Sequence, residues 1–345
     1  MLAERIDVVI GVDTHKHTHT AAAVTPTGAV LESLTVAADR SGYQKLAAFG
    51  ARHGDRRLWA IEGTGTYGAG LTSLLVALDE PVVEVDRPVR TARRSGAKSD
   101  EIDAARAARE ALSRDHLGVP RGRGEREAIR VLLTTRAVAI EARTAALSAL
   151  HALVTTAPEQ LRQRLRNLPT GALVRTCTGL RTSQRHSSEH FATVMALRST
   201  ARRILACERE AAELEHQLEA LVRQIAPTLL EQVGIGPVVA GQLIASWSHR
   251  GRVHSEAAFA KLAGVAPLPA SSGLTVRHRL SRMGDRQLNR ALHTVVLVRL
   301  RQDPETKAYA ARRYAEGKSV REVKRCLKRY VARQLFRQLE GLDRT

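Results

Sequence analysis

Between residues 7 and 36 three extended-type segments follow one another with only turn signals between them. Beyond residue 40 the chain alternates helix and strand, and few folds accept that order. The run DVVIGVD at 7–13 is a short apolar strand closed by a carboxylate. Thr18 to Val24 alternates weakly, Pro26-Thr27-Gly28 signals a hairpin, and Ala29 to Val36 returns as a third strand. A helix is expected over about 41–53. A fourth strand at Leu58–Ile61 ends on Glu62, where Gly63-Thr64-Gly65 breaks it; a helix over about 67–78 and a fifth strand at Pro81–Val85 follow. A three-strand meander followed by alternating helix and strand is the order of an α/β RNase H-like domain, here assigned to residues 1–116.

Four acids fall at telling positions. Asp13 closes the first strand and Glu62 the fourth; Asp100 and Asp103, three apart, open a helix over about 100–113 for which Ser99 is the N-cap. In an RNase H-like sheet the first and fourth strands are neighbours, so Asp13 and Glu62 approach, and a helix beside them presents the other two. Four converging carboxylates repel unless cations lie between them. Oxygen donors in that number suit Mg²⁺ or Mn²⁺. Two such ions stabilise both the attacking and the leaving oxygen of a phosphodiester displacement. Taken singly, Asp13 reads equally well as a turn residue and Asp100 as a favourable charge at a helix N-terminus.

Charge is divided unevenly. The formal net charge is +19, yet residues 1–116 hold 15 basic and 16 acidic residues, so the remainder carries +20. Such a field attracts a polyanion and makes its binding salt-sensitive. Aromatic residues make up 3% of the chain, which leaves little for base stacking. Basic residues gather in a loop at 87–98 (Arg87, Arg90, Arg93, Arg94, Lys98). They gather again in the C-terminal helices at Arg299, Arg301, Arg312, Arg313, Lys318, Arg321, Lys324, Arg325, Lys328, Arg329, Arg333 and Arg337, where acids do not balance them. The N-terminus does not read as a signal peptide, and no apolar run approaches the roughly 18 residues of a membrane span. Cys177, Cys207 and Cys326 are isolated and fit neither a disulfide framework nor a zinc site, so a cytoplasmic setting without membrane contact is expected.

Residues 117–226 read as two long Ala/Leu/Arg/Glu-rich helices, about 124–156 and 189–224, around an insert with Pro158, Pro169, Gly171 and Gly179. An antiparallel coiled-coil arm is expected, with a plain helical bundle as the alternative. Residues 227–345 read as an all-α domain. Gly234-Ile235-Gly236 before an apolar helix has the form of a helix–hairpin–helix turn, in which backbone N–H groups approach a phosphate. Helices follow at about 255–262 and through 285–340, with a Pro/Ser/Gly loop at 264–276 between them. His15, His17 and His19 alternate and face one side if the strand runs through them. A polar face near phosphate is the preferred reading and a transition-metal site the other.

The segments VIGVDTHKHTHTAAAV (9–24), AIEGTGTYG (60–68) and AKSDEIDAARAAR (97–109) resemble, in order and spacing, the acidic motifs of the DEDD-type insertion-sequence transposases, whose catalytic domain is RuvC-like. The resemblance places the family's metal-binding catalytic acids on Asp13, Glu62, Asp100 and Asp103. The stretches VGIGPVVAGQLIA (233–245), FAKLAGVAPLPASSG (259–273) and SRMGDRQLNRALH (281–293) resemble the same family's C-terminal domain, where a serine of an SSG-type motif joins covalently to DNA. That role falls to Ser271, with Ser272 the second choice. The family usually follows SSG with another glycine and a basic residue; here Leu274 and Thr275 follow Gly273, and the first basic residue is Arg277.

The resemblance implies two Mg²⁺ or Mn²⁺ ions, donor and target DNA, a noncoding bridge RNA as guide, and a homo-oligomer, dimer or tetramer, with a composite site. It implies a bacterial cytoplasmic protein, nucleoid-associated when bound to DNA. Beside it stand a metal-dependent nuclease or Holliday-junction resolvase with water as nucleophile, and a non-catalytic nucleic-acid-binding protein.

Overall fold

The computed structural model describes residues 6–85, 99–114, 116–181, 187–269, 278–279 and 284–342. Two compact units divide the chain, Met1–Gly122 and Arg123–Thr345.

The first unit is a mixed five-stranded sheet with helices on both faces, consistent with an RNase H-like fold. Its strands are β1 (Val8–Thr14), β2 (Thr18–Val24), β3 (Val30–Ala37), β4 (Arg57–Glu62) and β5 (Val82–Val85), in the spatial order β3-β2-β1-β4-β5. The meander β1-β2-β3 is antiparallel, while β4 runs parallel to β1 and β5 parallel to β4. Alternation along β1 sends Val8, Ile10 and Val12 into one core, shared with Phe49, Trp59, Leu71 and Leu75. That core lies under α1 (Arg40–Ala51) and α2 (Ala69–Ala77). The opposite face carries Val9, Ala22, Leu58 and Ala60 beneath α3 (Asp100–Leu112), whose Ala104, Ala105, Ala107, Ala108 and Ala111 are all buried.

The small side chains of that helix are dictated by Gly11. A Cβ at Gly11 would lie 2.0 Å from the carbonyl oxygen of Ala104 and 2.5 Å from the amide nitrogen of Ala108, so α3 rests on the bare strand backbone. The cap of α3 follows the sequence expectation, with the Ser99 hydroxyl accepting from the Ile102 amide.

Among its described residues the second unit is all-helical apart from one two-residue strand pair. Its long helices are α4 (Glu125–Thr155) and α7 (Ser188–Ile225), of 31 and 38 residues. Arg136 pairs with Glu215 and Arg143 with Glu208, so the two helices run antiparallel. Between them lie α5 (Glu159–Leu165) and α6 (Thr170–Thr178), which share one core with the adjoining ends of the long helices: Leu150, Val154, Leu165, Leu173, Cys177, Leu197 and Ile204. The other ends, with Ile129, Leu218 and Val222, enter a larger core. That core joins α8 (Pro227–Leu230), α9 (Pro237–Trp247), α10 (Glu256–Leu262), α11 (Arg286–Gln302), α12 (Pro304–Ala315) and α13 (Val320–Leu339). Arg126 is buried there and donates through Nε, at 3.1 Å, and Nη2, at 2.6 Å, to the carbonyl oxygen of Ala245 near the end of α9.

Two sequence expectations need correction. Among the described residues one helix, α4, is long and apolar enough to cross a membrane by length and composition. Between Arg136 and Thr155 only Glu141 and Arg143 are charged, so this alanine- and leucine-rich run is longer and more apolar than expected from the sequence. The three alternating histidines do not share a strand face. β1 ends at Thr14 and β2 begins at Thr18, so His15 and His17 lie in the exposed turn and His19 alone is buried.

Candidate carboxylate centre

Parity places two of the four acids. Asp13 follows Val9 and Gly11 on the α3 face of β1, and Glu62 follows Leu58 and Ala60 on the same face of β4. The parallel register pairs Val12 with Ile61, so the two acids end neighbouring strands side by side. The Thr14 hydroxyl ties these ends together by donating to the Glu62 carbonyl oxygen at 2.9 Å. Immediately after Glu62 the chain turns at Gly63, whose φ of +70° favours glycine.

The other two acids come from α3. Its sheet-facing stripe runs back from Ala111, Ala108, Ala107 and Ala104 to Asp103 and Asp100, spaced three and four apart. Because Gly11 lets that helix sit against β1, its first turn arrives at the end of the strand that carries Asp13. The N-terminal end of a helix dipole also favours negative charge there.

The electrostatics register this convergence. Asp13 has 12% of its side chain exposed, against 48% for Asp100 and 29% for Asp103. Burial pushes the Asp13 carboxyl above the usual carboxylate range; the neighbouring His15 pulls it back, and Asp100, Asp103 and Glu62 each push it further up. Thus Glu62, Asp100 and Asp103 all act on Asp13, and of the three Asp100 alone lies with it in a set close enough to hold one ion. Asp103 is also held by Arg106 at 2.7 Å.

His15 is the residue that the strand-based reading misplaced. Its Nδ1 lies 3.6 Å from Asp13 Oδ2 and 3.8 Å from Asp100 Oδ2, and Asp13, His15 and Asp100 form a set able to hold a metal ion. No periodicity could have found it, because the hairpin turn, not a strand, aims its ring. His19 instead stacks on Tyr43 with ring centroids 5.4 Å apart, and burial holds its pKa below the usual histidine value.

Ser271, Ser272, Arg277 and the basic loop at 87–98 lie outside the described residues. The described ends of the serine segment are β6 (Leu268–Pro269) and β7 (His278–Arg279), paired antiparallel. Gly234-Ile235-Gly236 leads into α9 beside a cavity of about 400 Å³. Its lining includes Glu215 and Gln232 but no lysine or arginine among the described residues. Gly234 needs its positive φ of +86°, and an added Cβ would lie 3.1 Å from the Val295 carbonyl oxygen.

Several basic residues of the C-terminal helices are engaged within the chain. Arg299 donates to the Val233 carbonyl oxygen and to Gln232 and Gln334; Arg313 pairs with Glu316; Arg333 and Arg337 both pair with Glu256; Lys328 donates to Asn289. Arg301, Arg312, Lys318, Arg321 and Arg325 remain exposed.

A mixed sheet of RNase H-like order with acids gathered where β1, β4 and α3 meet, followed by a basic helical unit, defines a class of nucleic-acid-processing proteins. Residues 10–157 match a family model described as a transposase, the DEDD transposase of IS110, and residues 226–311 match one described as the transposase IS116/IS110/IS902 family. The chain belongs to this family of DEDD transposases of the IS110 type. It is 30% identical over 124 residues to the insertion element IS110 uncharacterized 43.6 kDa protein of Streptomyces coelicolor, covering 35% of this chain and 31% of that protein. Over 131 residues it is 30% identical to the insertion element IS900 uncharacterized 42 kDa protein of Mycobacterium paratuberculosis, covering 37% and 32%. The similarity therefore spans about a third of the length of each of these relatives.

Proposed function

We propose that the protein cuts and rejoins the DNA of an insertion element. In this reading Asp13, Glu62, Asp100 and Asp103 hold two Mg²⁺ or Mn²⁺ ions, and Ser271 is the nucleophile that joins to DNA. The observation that carries it is geometric: Asp13 and Glu62 lie at the ends of neighbouring parallel strands on the face covered by α3, whose first turn carries Asp100 and Asp103. Carboxylates gathered in that way ask for cations. Bound there, divalent ions neutralise phosphate charge and polarise the attacking and leaving oxygens.

The chain's own residues do the rest. Gly11 and the alanines of α3 fix the spacing of the acids, and Thr14 fixes the strand ends. The RuvC-like sheet supplies the acids, and the helical unit with its net positive charge supplies the DNA surface, centred on Arg312, Lys318, Arg321 and Arg325. The antiparallel helix pair acts as a coiled-coil arm for assembly of a homo-oligomer. The Gly234–Gly236 turn, as a helix–hairpin–helix element, meets the DNA backbone through main-chain amides. A noncoding bridge RNA guides target choice, and the positive charge of the second unit accommodates it. The protein acts in the bacterial cytoplasm.

The test is incubation with element-end DNA, the element's noncoding RNA and Mg²⁺, followed by a denaturing quench. A covalent protein–DNA adduct that is lost in Ser271→Ala, and also lost in Asp13→Asn, is expected. Cleavage that survives both Ser271→Ala and Ser272→Ala yet fails in Asp13→Asn would make the protein a nuclease or junction resolvase with water as nucleophile.

A further inference from the structure

We propose that His15 contributes a nitrogen ligand, through Nδ1, to a divalent ion held by Asp13 and Asp100, and that this gives the centre a preference for Mn²⁺ over Mg²⁺. The inference rests on the metal-site reading above and adds to it a ligand outside the four acids.

Three observations carry it. The first is position. The His15 amide donates to the Thr18 carbonyl oxygen at 2.9 Å, which closes the turn between β1 and β2 and anchors the ring's backbone two residues from Asp13. The second is distance. Nδ1 of His15 and one oxygen each from Asp13 and Asp100 all lie within 4.8 Å of one another, with the two nitrogen–oxygen separations at 3.6 and 3.8 Å. Donors on one octahedral ion with bonds of about 2.1 Å stand about 3.0 Å apart when adjacent and about 4.2 Å when opposite. The observed separations fall between these values. The third is access: the His15 side chain is 48% exposed, so its ring has room to adjust while Asp13 stays fixed in the sheet.

The choice of metal follows from donor chemistry. Mg²⁺ favours oxygen ligands and keeps its waters, whereas imidazole suits first-row transition ions. A site of carboxylates alone discriminates weakly between Mg²⁺ and Mn²⁺, and one imidazole tilts it. His17 is exposed on the same turn but is not part of the metal-holding set, which makes it a matched control.

The experiment loads the full-length protein with Mn²⁺ and records pulsed electron paramagnetic resonance, together with Mn²⁺ and Mg²⁺ titrations. Wild type should show nitrogen modulation from a directly bound imidazole. His15→Ala and His15→Gln should lose it, and His17→Ala should keep it. Mn²⁺ affinity should fall about tenfold or more in His15→Gln, the order seen when a metal site loses one supporting group, while Mg²⁺ affinity changes by less than about threefold. Wild type that binds Mn²⁺ without nitrogen modulation, or modulation that survives in His15→Gln, overturns the ligand assignment and leaves the carboxylate site standing. Wild type that binds neither ion, or Asp13→Asn that binds both like wild type, overturns the underlying metal reading itself.

Discussion

Gly11→Ala tests whether the acids are positioned by the contact between α3 and β1. The added methyl would begin 2.0 Å from the Ala104 carbonyl oxygen, 2.5 Å from the Ala108 amide nitrogen and 3.0 Å from the Ala108 Cβ. A carbon–oxygen contact settles near 3.3 Å at its closest ordinary approach, so α3 must retreat by about 1 Å. The first two atoms belong to the helix backbone and cannot rotate away. Overpacking of this kind costs about 1–3 kcal/mol, and the lower backbone entropy of alanine in the unfolded chain offsets only about 0.4–1 kcal/mol of that. A larger effect is expected on function, because Asp100 and Asp103 ride on the displaced helix. Misplacement of reacting groups by about 1 Å costs on the order of 10²-fold in rate. The assay pairs urea unfolding with Mn²⁺ titration and DNA cleavage, using Gly65→Ala as the control, since a methyl there meets nothing within 4 Å. Gly11→Ala should lower stability modestly and cleavage severely. A variant with wild-type stability, metal affinity and cleavage would refute the close seating of α3 on Gly11.

Other expectations follow from single sites. Arg126→Ala should destabilise the second unit by about 3 kcal/mol in urea unfolding, because it strips the buried Ala245 carbonyl of two donors and leaves a cavity; unchanged unfolding would contradict that burial. Asp13→Asn should raise the melting temperature of the metal-free protein at pH 7. The folded-state pKa of Asp13 is raised, so its ionised form costs stability at neutral pH, a cost relieved as pH falls through the folded value toward 3.8. Mg²⁺ should raise the melting temperature of wild type but not of this variant, as differential scanning calorimetry with and without chelator would show. Cys177 is buried and its thiol is pushed up to about 11, so it should resist a disulfide reagent at pH 8 in the folded protein and react after denaturation. Reversing Lys318, Arg321 and Arg325 together to glutamate should weaken DNA binding and flatten its dependence on salt, measured as log affinity against log salt concentration; an unchanged slope would move the DNA surface elsewhere.

The sheet was legible because strand ends are written locally. Apolar runs stop at Asp13 and Glu62, a hairpin signal sits at Pro26-Thr27-Gly28, and Ser99 caps α3 as its hydroxyl chemistry requires. The long helices were legible for the same reason: their periodicity is sustained through α4 and α7. What was hidden depends on distance in space. Nothing in the run DVVIGVD marks Gly11 as the seat of α3, a contact made by residues more than ninety positions away. His15 looked like one of three on a strand, because only the hairpin turn decides where its ring goes. Nothing local marks Arg126 as buried, yet it donates to a carbonyl 119 residues away. The tally of basic residues in the C-terminal helices overstated the free charge, since several of those residues close ion pairs or hold backbone oxygens inside the unit.

These hidden features explain how a repulsive cluster is held together. Glu62, Asp100 and Asp103 each disfavour the ionised form of Asp13 in the metal-free protein, and the N-terminal end of the α3 dipole favours negative charge there. What holds the helix in place is the apolar contact behind the acids: five buried alanines of α3 against Val9, Ala22, Leu58 and Ala60. Their small size is what allows the helix close enough for its first turn to reach Asp13, so the same stripe that contributes to the core sets the geometry of the centre. A bulkier stripe would bury more apolar area and hold the first turn of α3 farther from Asp13. The alanine-rich face of α3 is therefore better read as a spacing device than as weak packing. Enlarging Ala108 to valine should show it, by lowering metal affinity even where the added volume leaves the fold intact.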